Sequence, residues 1–323
     1  MVRGGARRAV LALILAPLLA ACSRGVAVPP STSTSTPPES SSTAAQTTTP
    51  APASPELLRV AVPFDQPGLG MREDDEYSGI DVAVARYVAQ QLGAQRLELL
   101  QAIPDQRETL LATGQADLVI ATYSMTPERS EQVLFAGPYL VTGQDLLVPR
   151  GSKVRSVEHL RGQSVCGAAG SASVKRLVDD HPGLHIVERP TVGECVELLR
   201  EREVGAVTSD TTILAGYLEA DKDERSTLRL AGVDIGRESY GVGMSPDDEE
   251  LCYRVSEALR TMVSSGEWRK AVRANLPGPE VIGTQSYADP EVTSCTAPPT
   301  SSTTSSTSST SSTSSASSTS ESG

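Results

Sequence analysis

Apolar residues follow two alternating rhythms along this chain. Leu57 to Val62 is a short apolar run stopped by Pro63, which predicts a strand. After Gly79-Ile80-Asp81, apolar residues fall at 82, 84, 85, 88, 89 and 92 with Gly93 just beyond. That spacing gives a helix one apolar face and a glycine stop. Leu97 to Leu100 is expected as a strand, Arg107 to Thr113 as a helix and Ala116 to Ala121 as a buried strand. Strand and helix alternate, so the sheet is expected to be largely parallel.

The rhythm resumes beyond Val148. A helical turn at Val157 to Leu160 precedes a strand at Ser164 to Gly167, a helix at Ser173 to Asp180 and a strand at His185 to Arg189. A helix at Gly193 to Arg202, a strand at Ala206 to Ser209 and a helix at Thr211 to Leu218 follow. The chain then returns with a strand at Tyr240 to Met244, a long helix at Pro246 to Ser264 and a last one at Trp268 to Leu276. The expected organisation is one α/β lobe from residues 56–147 plus 238–296, and a second from 148–237. Two strands would cross between them, leaving a cleft of the kind that binds ligands at strand C-terminal ends.

The ends of the chain have a different composition. Residues 1–21 carry Arg3, Arg7 and Arg8 before an apolar run from Ala9 to Ala21, the pattern of a secretory signal peptide. The run is too short to span a bilayer stably. It ends Leu19-Ala20-Ala21-Cys22, which resembles a lipobox, so the Cys22 thiol is the expected acceptor of a diacylglyceryl group and the mature N-terminus. Such an anchor tethers without spanning, and the protein is expected on the outer face of the cytoplasmic membrane. Residues 22–55, rich in Ser, Thr and Pro, and residues 297–323, nearly pure Ser and Thr, have too little apolar content to offset ordering entropy. They are read as a disordered stalk and a disordered tail, the tail being a candidate for O-glycosylation.

Charge narrows the partners. The chain carries a formal −12, and loss of the three leader arginines takes it to −15. Such an acidic protein does not seek nucleic acid or anionic lipid, so a small molecule or a protein is the expected partner. Cysteine usage fits an oxidising compartment. With Cys22 lipidated, Cys166, Cys195, Cys252 and Cys295 form an even set with three connectivities open. Cys166 with Cys195 and Cys252 with Cys295 is the favoured pairing, because each pair lies close in sequence. No Cys-x-x-Cys spacing occurs and His159, His181 and His185 make no ligand pattern with the thiols, so neither metal nor cofactor is expected.

Several motifs then point one way. Gly79-Ile80-Asp81-Val82, Gly114-Gln115-Ala116-Asp117-Leu118, Thr122 through Arg129, Phe135-Ala136-Gly137-Pro138-Tyr139 and Asp210-Thr211 together resemble the polar amino acid binding proteins of ABC importers. The resemblance spans essentially the whole core in that family's order. Phe64 to Gly70, with Ala121 to Ser124 and Phe135 to Tyr139, is most similar to the actinobacterial glutamate-binding branch. It implies a type II periplasmic-binding-protein fold, two lobes with a ligand cleft and two crossing strands. The implied ligand is a small polar amino acid, glutamate first, with aspartate, glutamine and asparagine open.

An α-amino acid presents a carboxylate and an ammonium group. Arg129 supplies a planar fork for the α-carboxylate through two charge-assisted bonds, although a residue three beyond Thr126 could equally be a solvated first-turn arginine. Ser124 offers a hydroxyl. Ser171 and Ala172 open a helix whose free N–H groups favour a carboxylate. Asp210 ends a buried strand and is the natural ammonium acceptor, or merely the N-cap of the next helix. Gln66, Thr122 and Arg107 are candidates for reading the ligand side chain, Phe64 or Tyr240 for covering its methylenes, and Tyr123 lies within the same motif. Arg107 could instead serve an interlobe salt bridge. Ala168 and Ala169 stand where glutamine-binding relatives place a lysine, so side-chain specificity must be made differently.

Three functional readings follow. The first is a monomeric receptor that hands its ligand to an ABC permease, the ATPase being a separate chain because no Gly-x-x-x-x-Gly-Lys loop occurs. The second is a sensor subunit that signals through a membrane partner. The third, a dehydratase-like enzyme, is opposed by the few aromatics and the absence of a Gly-x-Ser-x-Gly elbow or a Cys and His pair at plausible spacing. Binding rather than catalysis is expected.

Overall fold

The computed structural model describes residues 54–220, 227–278 and 287–296. The leader, Cys22, almost all of the stalk and the Ser/Thr tail lie outside the described residues. Strand β1 (Leu57–Val62) is followed by β2 (Asp65–Gln66), β3 (Gly70–Glu73) and β4 (Glu76–Ser78), then α1 (Ile80–Leu92), β5 (Arg96–Gln101), α2 (Arg107–Ala112), β6 (Leu118–Val119) and α3 (Pro127–Ser130). The long β7 (Leu134–Pro149) leads to β8 (Ser164–Ala168), α4 (Ala172–Asp180), β9 (His185–Arg189), α5 (Val192–Arg200), β10 (Ala206–Asp210), α6 (Thr211–Ala220) and β11 (Leu228–Leu230). Strand β12 (Gly236–Met244), α7 (Glu249–Ser264), α8 (Glu267–Asn275) and β13 (Thr293–Thr296) complete the described chain.

The main sheet runs β5-β1-β6-β12-β7-β10-β8-β9, with β11 and β13 also paired to β7. At one end β1 pairs in parallel with β5 and β6, and at the other β8 pairs in parallel with β9 and β10. Between them β7 and β12 run antiparallel to each other, and β7 also pairs antiparallel with β10. The largely parallel sheet expected from the βα rhythm is therefore two parallel halves joined through an antiparallel pair. These two strands take the place of the two crossing strands that were expected, of which only β12 had been predicted as an element.

Strand β7 and the β2-β3-β4 meander were not predicted as elements. Thr142, Gln144 and Asp145 of β7 are buried, and Gly137-Pro138 and Gly143 interrupt its apolar run, so it imitates a loop in sequence while being covered on both faces. The helix expected from Pro246 begins at Glu249, because Asp248 caps it by accepting from the Leu251 N–H at 3.1 Å.

Helix α1 buries Val84, Ala85, Val88 and Leu92, and Gly93 closes it at φ 71° while donating to the Ala89 and Gln90 carbonyls. Each fully buried Val or Leu contributes about 1.5 to 3 kcal/mol. Trp268 of α8 packs into the same core and donates its indole N–H to the Tyr139 carbonyl at 2.6 Å. Cys166 is joined to Cys195 and Cys252 to Cys295, the favoured pairing. The first disulfide ties β8 to α5 and the second ties α7 to β13. Among the described residues no helix is long and apolar enough to cross a membrane.

Candidate functional site

The ends of β6 and β10, the start of α2 and the start of α4 converge on a small cavity. Gln66, Arg107, Thr122, Ser124, Ser171, Ala172 and Asp210 line it, with Pro104, Ala168, Val192 and Ile213 among its other walls. Its volume is about 20 Å³, room for a water rather than an amino acid, so the walls must part to admit a larger ligand.

Arg107 is only 3% exposed and forms no ion pair among the described residues. Its Nη2 donates to Thr122 Oγ1 at 3.3 Å, and its Nε has no hydrogen-bond partner among the described residues. Burial, with the neighbouring Arg129 charge second, pulls its guanidinium down to about 10. Among the described residues the salt bridge considered for it is not formed. Thr122 Oγ1 donates in turn to Gln66 Oε1 at 3.2 Å. Both guanidiniums lie against the ring of Tyr123, Arg107 at 5.3 Å and Arg129 at 5.0 Å from its centroid. The Tyr123 hydroxyl donates to Glu108 at 2.8 Å.

Arg129 is buried rather than solvated, with Thr126 capping its short helix by accepting from the Arg129 N–H at 3.3 Å. Its fork is engaged by protein: Nη1 donates to the Ser124 carbonyl at 3.0 Å, Nη2 to the Gly170 carbonyl at 2.8 Å, and Nε lies 3.3 Å from Glu108. It borders a wider cavity of about 670 Å³ beside α3, α4 and β12, and the small cavity is lined by its neighbour Ser124. Gly170 sits at φ 71° so close to Asp105 that a Cβ would come within 2.8 Å of the Asp105 Cα. The loop before α4 thus needs glycine there. Ser171 caps α4, its Oγ accepting from the Val174 N–H at 3.3 Å.

Asp210 ends β10, and its carboxylate accepts from the Tyr240 hydroxyl at 2.5 Å. Burial, with the Glu238 charge adding to it, raises this carboxyl to about 7. Tyr240 meets the site through this hydroxyl. Phe64 is half-buried and does not line the small cavity, so the structure gives no wall to its expected role.

Sequence reasoning missed a partly buried polar group behind Asp210. Arg176 donates to Glu238 at 2.7 Å and to Gln144 Oε1 at 2.8 Å, and Gln144 donates to Glu238 at 3.0 Å. These three residues come from α4, β7 and β12, and the polar residue Gln144 inside the apolar stretch of β7 was the available signal. A second contact set lies beside the wall residues Gln66 and Val192. Asp65 Oδ2 accepts from the Gly193 N–H at 3.1 Å and from the Tyr217 hydroxyl at 3.2 Å.

Comparison with known proteins identifies the family and the fold. The family of bacterial extracellular solute-binding proteins, family 3, matches residues 58–276. The glutamate-binding protein GluB of Corynebacterium efficiens is 36% identical over 228 residues, covering 67% of this chain and 78% of that protein. The ABC transporter glutamine-binding protein GlnH of Bacillus subtilis is 28% identical over 204 residues, 62% of this chain and 73% of that protein. Among solved structures, an ancestral arginine-binding protein bound to glutamine superimposes with a TM-score of 0.64 at 26% identity, covering 68% of this chain and 97% of that one. The fold is the type II periplasmic-binding-protein fold that the motifs implied. With the match running from β1 to the end of α8, the chain belongs to the bacterial extracellular solute-binding proteins, family 3.

Proposed function

We propose that the protein is an extracytoplasmic receptor that captures an acidic amino acid, glutamate first, and delivers it to the permease of an ABC importer. Lipid on Cys22 would hold it at the membrane, and the ATPase would be a separate chain. In this reading residues 56–147 with 238–296 form one lobe and 148–237 the other, and the ligand bridges them, favouring the closed state by contacts it makes only there.

One observation carries the choice of an acidic ligand. Arg107 is buried at the cavity with no direct ion pair among the described residues, although the charges of Glu108, Asp81 and Asp210 bear on it. A second guanidinium, Arg129, stacks on the same Tyr123 ring and pairs with Glu108, and the carboxylate that lines the cavity is Asp210. Arg107 and Asp210, the cation and the carboxylate among the cavity walls, complement the side-chain carboxylate and the ammonium group of an acidic amino acid, and Arg129, although paired with Glu108, stands beside them for the α-carboxylate. A buried cation left unpaired is costly, and an anionic side chain relieves that cost where a neutral amide does so only in part. In this reading Arg129 exchanges its carbonyl partners for the α-carboxylate, helped by Ser124 and the α4 N-terminus at Ser171 and Ala172. Asp210 takes the ammonium group, and Arg107 with Thr122 and Gln66 reads the side chain. The GluB relative supports glutamate as the first ligand to test.

The test is calorimetric titration of the exported chain with glutamate, aspartate, glutamine, asparagine and arginine. Tight binding of glutamate with much weaker binding of glutamine is expected. Preference for glutamine or arginine would overturn the acidic reading while leaving the receptor reading intact.

A further inference from the structure

Thr122 lies in the left-handed region, at φ 43°. A β-branched residue there is a rare outlier that persists only where its surroundings enforce it. The enforcing group is Asp81, in the first turn of α1 and fully buried. Its Oδ2 accepts from the Thr122 N–H at 2.8 Å, and its Oδ1 accepts from the Tyr139 hydroxyl at 2.8 Å. Both oxygens are thus held, one by the turn and one by the crossing strand β7. The turn so held carries Thr122 Oγ1 to the point where it accepts from Arg107 and donates to Gln66.

We infer that Asp81 is a positioning residue for ligand specificity: by imposing the left-handed turn at Thr122, it aims the hydroxyl that orients Arg107 and Gln66 toward the ligand side chain. Asp81 is absent from the cavity walls, so it acts on the ligand through Thr122 and not by contact, and its charge also bears on Arg107, an effect that Asp81→Asn removes while keeping the hold on Thr122. Without the carboxylate, the Thr122 N–H is an orphaned buried donor and the residue relaxes toward negative φ, swinging Oγ1 off Arg107. This rests on the reading of Arg107 as the side-chain reader.

The test combines a ligand-free readout with a specificity readout in the exported chain. Hydrogen exchange at the Thr122 amide, followed by NMR without ligand, is expected to lose its protection in Asp81→Leu. The variant's ratio of glutamate to glutamine affinity is expected to fall about tenfold, the size of a lost hydrogen bond to a charged group. Asp81→Asn keeps an acceptor for Thr122 and a donor for Tyr139, and should retain most of both. Thr122→Gly should lower the ratio alone and absorb the effect of Asp81→Leu in the double variant, because the two residues act as one unit. Should Asp81→Leu not fold, Tyr139→Phe frees the second carboxylate oxygen and is expected to shift the ratio the same way by a smaller factor. A protected Thr122 amide in Asp81→Leu, additive effects on the ratio, or an unchanged ratio in Tyr139→Phe would overturn the inference. If the parent protein shows no preference for glutamate while the Thr122 amide still depends on Asp81, the Arg107 reading fails and the imposed turn stands.

Discussion

The Tyr240 hydroxyl donates to Asp210 Oδ2 at 2.5 Å inside the protein, where neither residue is more than 6% exposed. Burial raises the Asp210 carboxyl from 3.8 to about 7 and the Glu238 charge pushes the same way, while this hydrogen bond opposes both. Removing the hydroxyl in Tyr240→Phe raises the carboxyl further. If Asp210 must be ionised to take an ammonium group, glutamate affinity at pH 7 is expected to fall several-fold in the variant and to recover toward pH 9. Calorimetric titration from pH 6 to pH 9 checks this. An unshifted profile would remove Asp210 from the ammonium site.

The same shifts set a slope of stability with pH. Asp81 and Asp210 both titrate near 7 in the folded protein, against 3.8 for the ordinary carboxyl, with burial the main cause in each. An acid whose folded value is raised binds its proton more tightly in the folded state. Its contribution to stability is complete below about pH 4 and is lost as pH rises through about 7. The ligand-free protein is expected to melt at lower temperature at pH 8 than at pH 5 on account of these two groups, and Asp210→Asn should flatten that difference. Scanning calorimetry at several pH values measures it.

The elements with a clean period were legible in the sequence, and the crossing strands were legible only in part. Helix α1 and strands β1, β5, β8, β9 and β10 each show one period between clear stops, and they stand close to where the pattern puts them. Strand β7 hides Thr142, Gln144 and Asp145 in a buried strand, and no local pattern separates a buried polar strand from a loop. The site divides the same way. Thr122, Ser124, Ser171 and Asp210 stand at strand ends and helix starts, where chain geometry points side chains into a cleft. The links from Arg176 to Gln144, 32 residues away, and to Glu238, 62 away, depend on the third dimension, as does the hold of Arg129 on Gly170, 41 residues away.

The two arginines against Tyr123 are expected to fail differently. Arg129→Ala removes the fork for a group common to all α-amino acids, so glutamate and glutamine should weaken together, by about 2 to 5 kcal/mol. Arg107→Met removes the charge that distinguishes an acid from an amide. Glutamate affinity should fall by more than glutamine affinity, narrowing or inverting the ratio between them. Titrating both variants with both ligands checks the division of labour, and an equal loss of both ligands in Arg107→Met would argue against it.

The Cys166–Cys195 disulfide is expected to support stability and not the ligand contacts. Both sulfurs are fully buried, between β8 and α5, and the bridge closes a loop of 29 residues. Loop closure of that length stabilises by about 3 to 4 kcal/mol on the chain-entropy account. For a folded core of this size each kcal/mol is worth about 2 to 4 °C, so Cys166→Ser with Cys195→Ser should lower the melting temperature by roughly 6 to 15 °C. Strand β8 keeps its backbone pairing to β9 and β10 without the bridge, so Ala168 stays at the cavity wall and glutamate affinity at 25 °C should change little. A large loss of affinity with little loss of stability would reverse this assignment, because it would mean that the bridge sets the shape of the site and not the depth of the folded state.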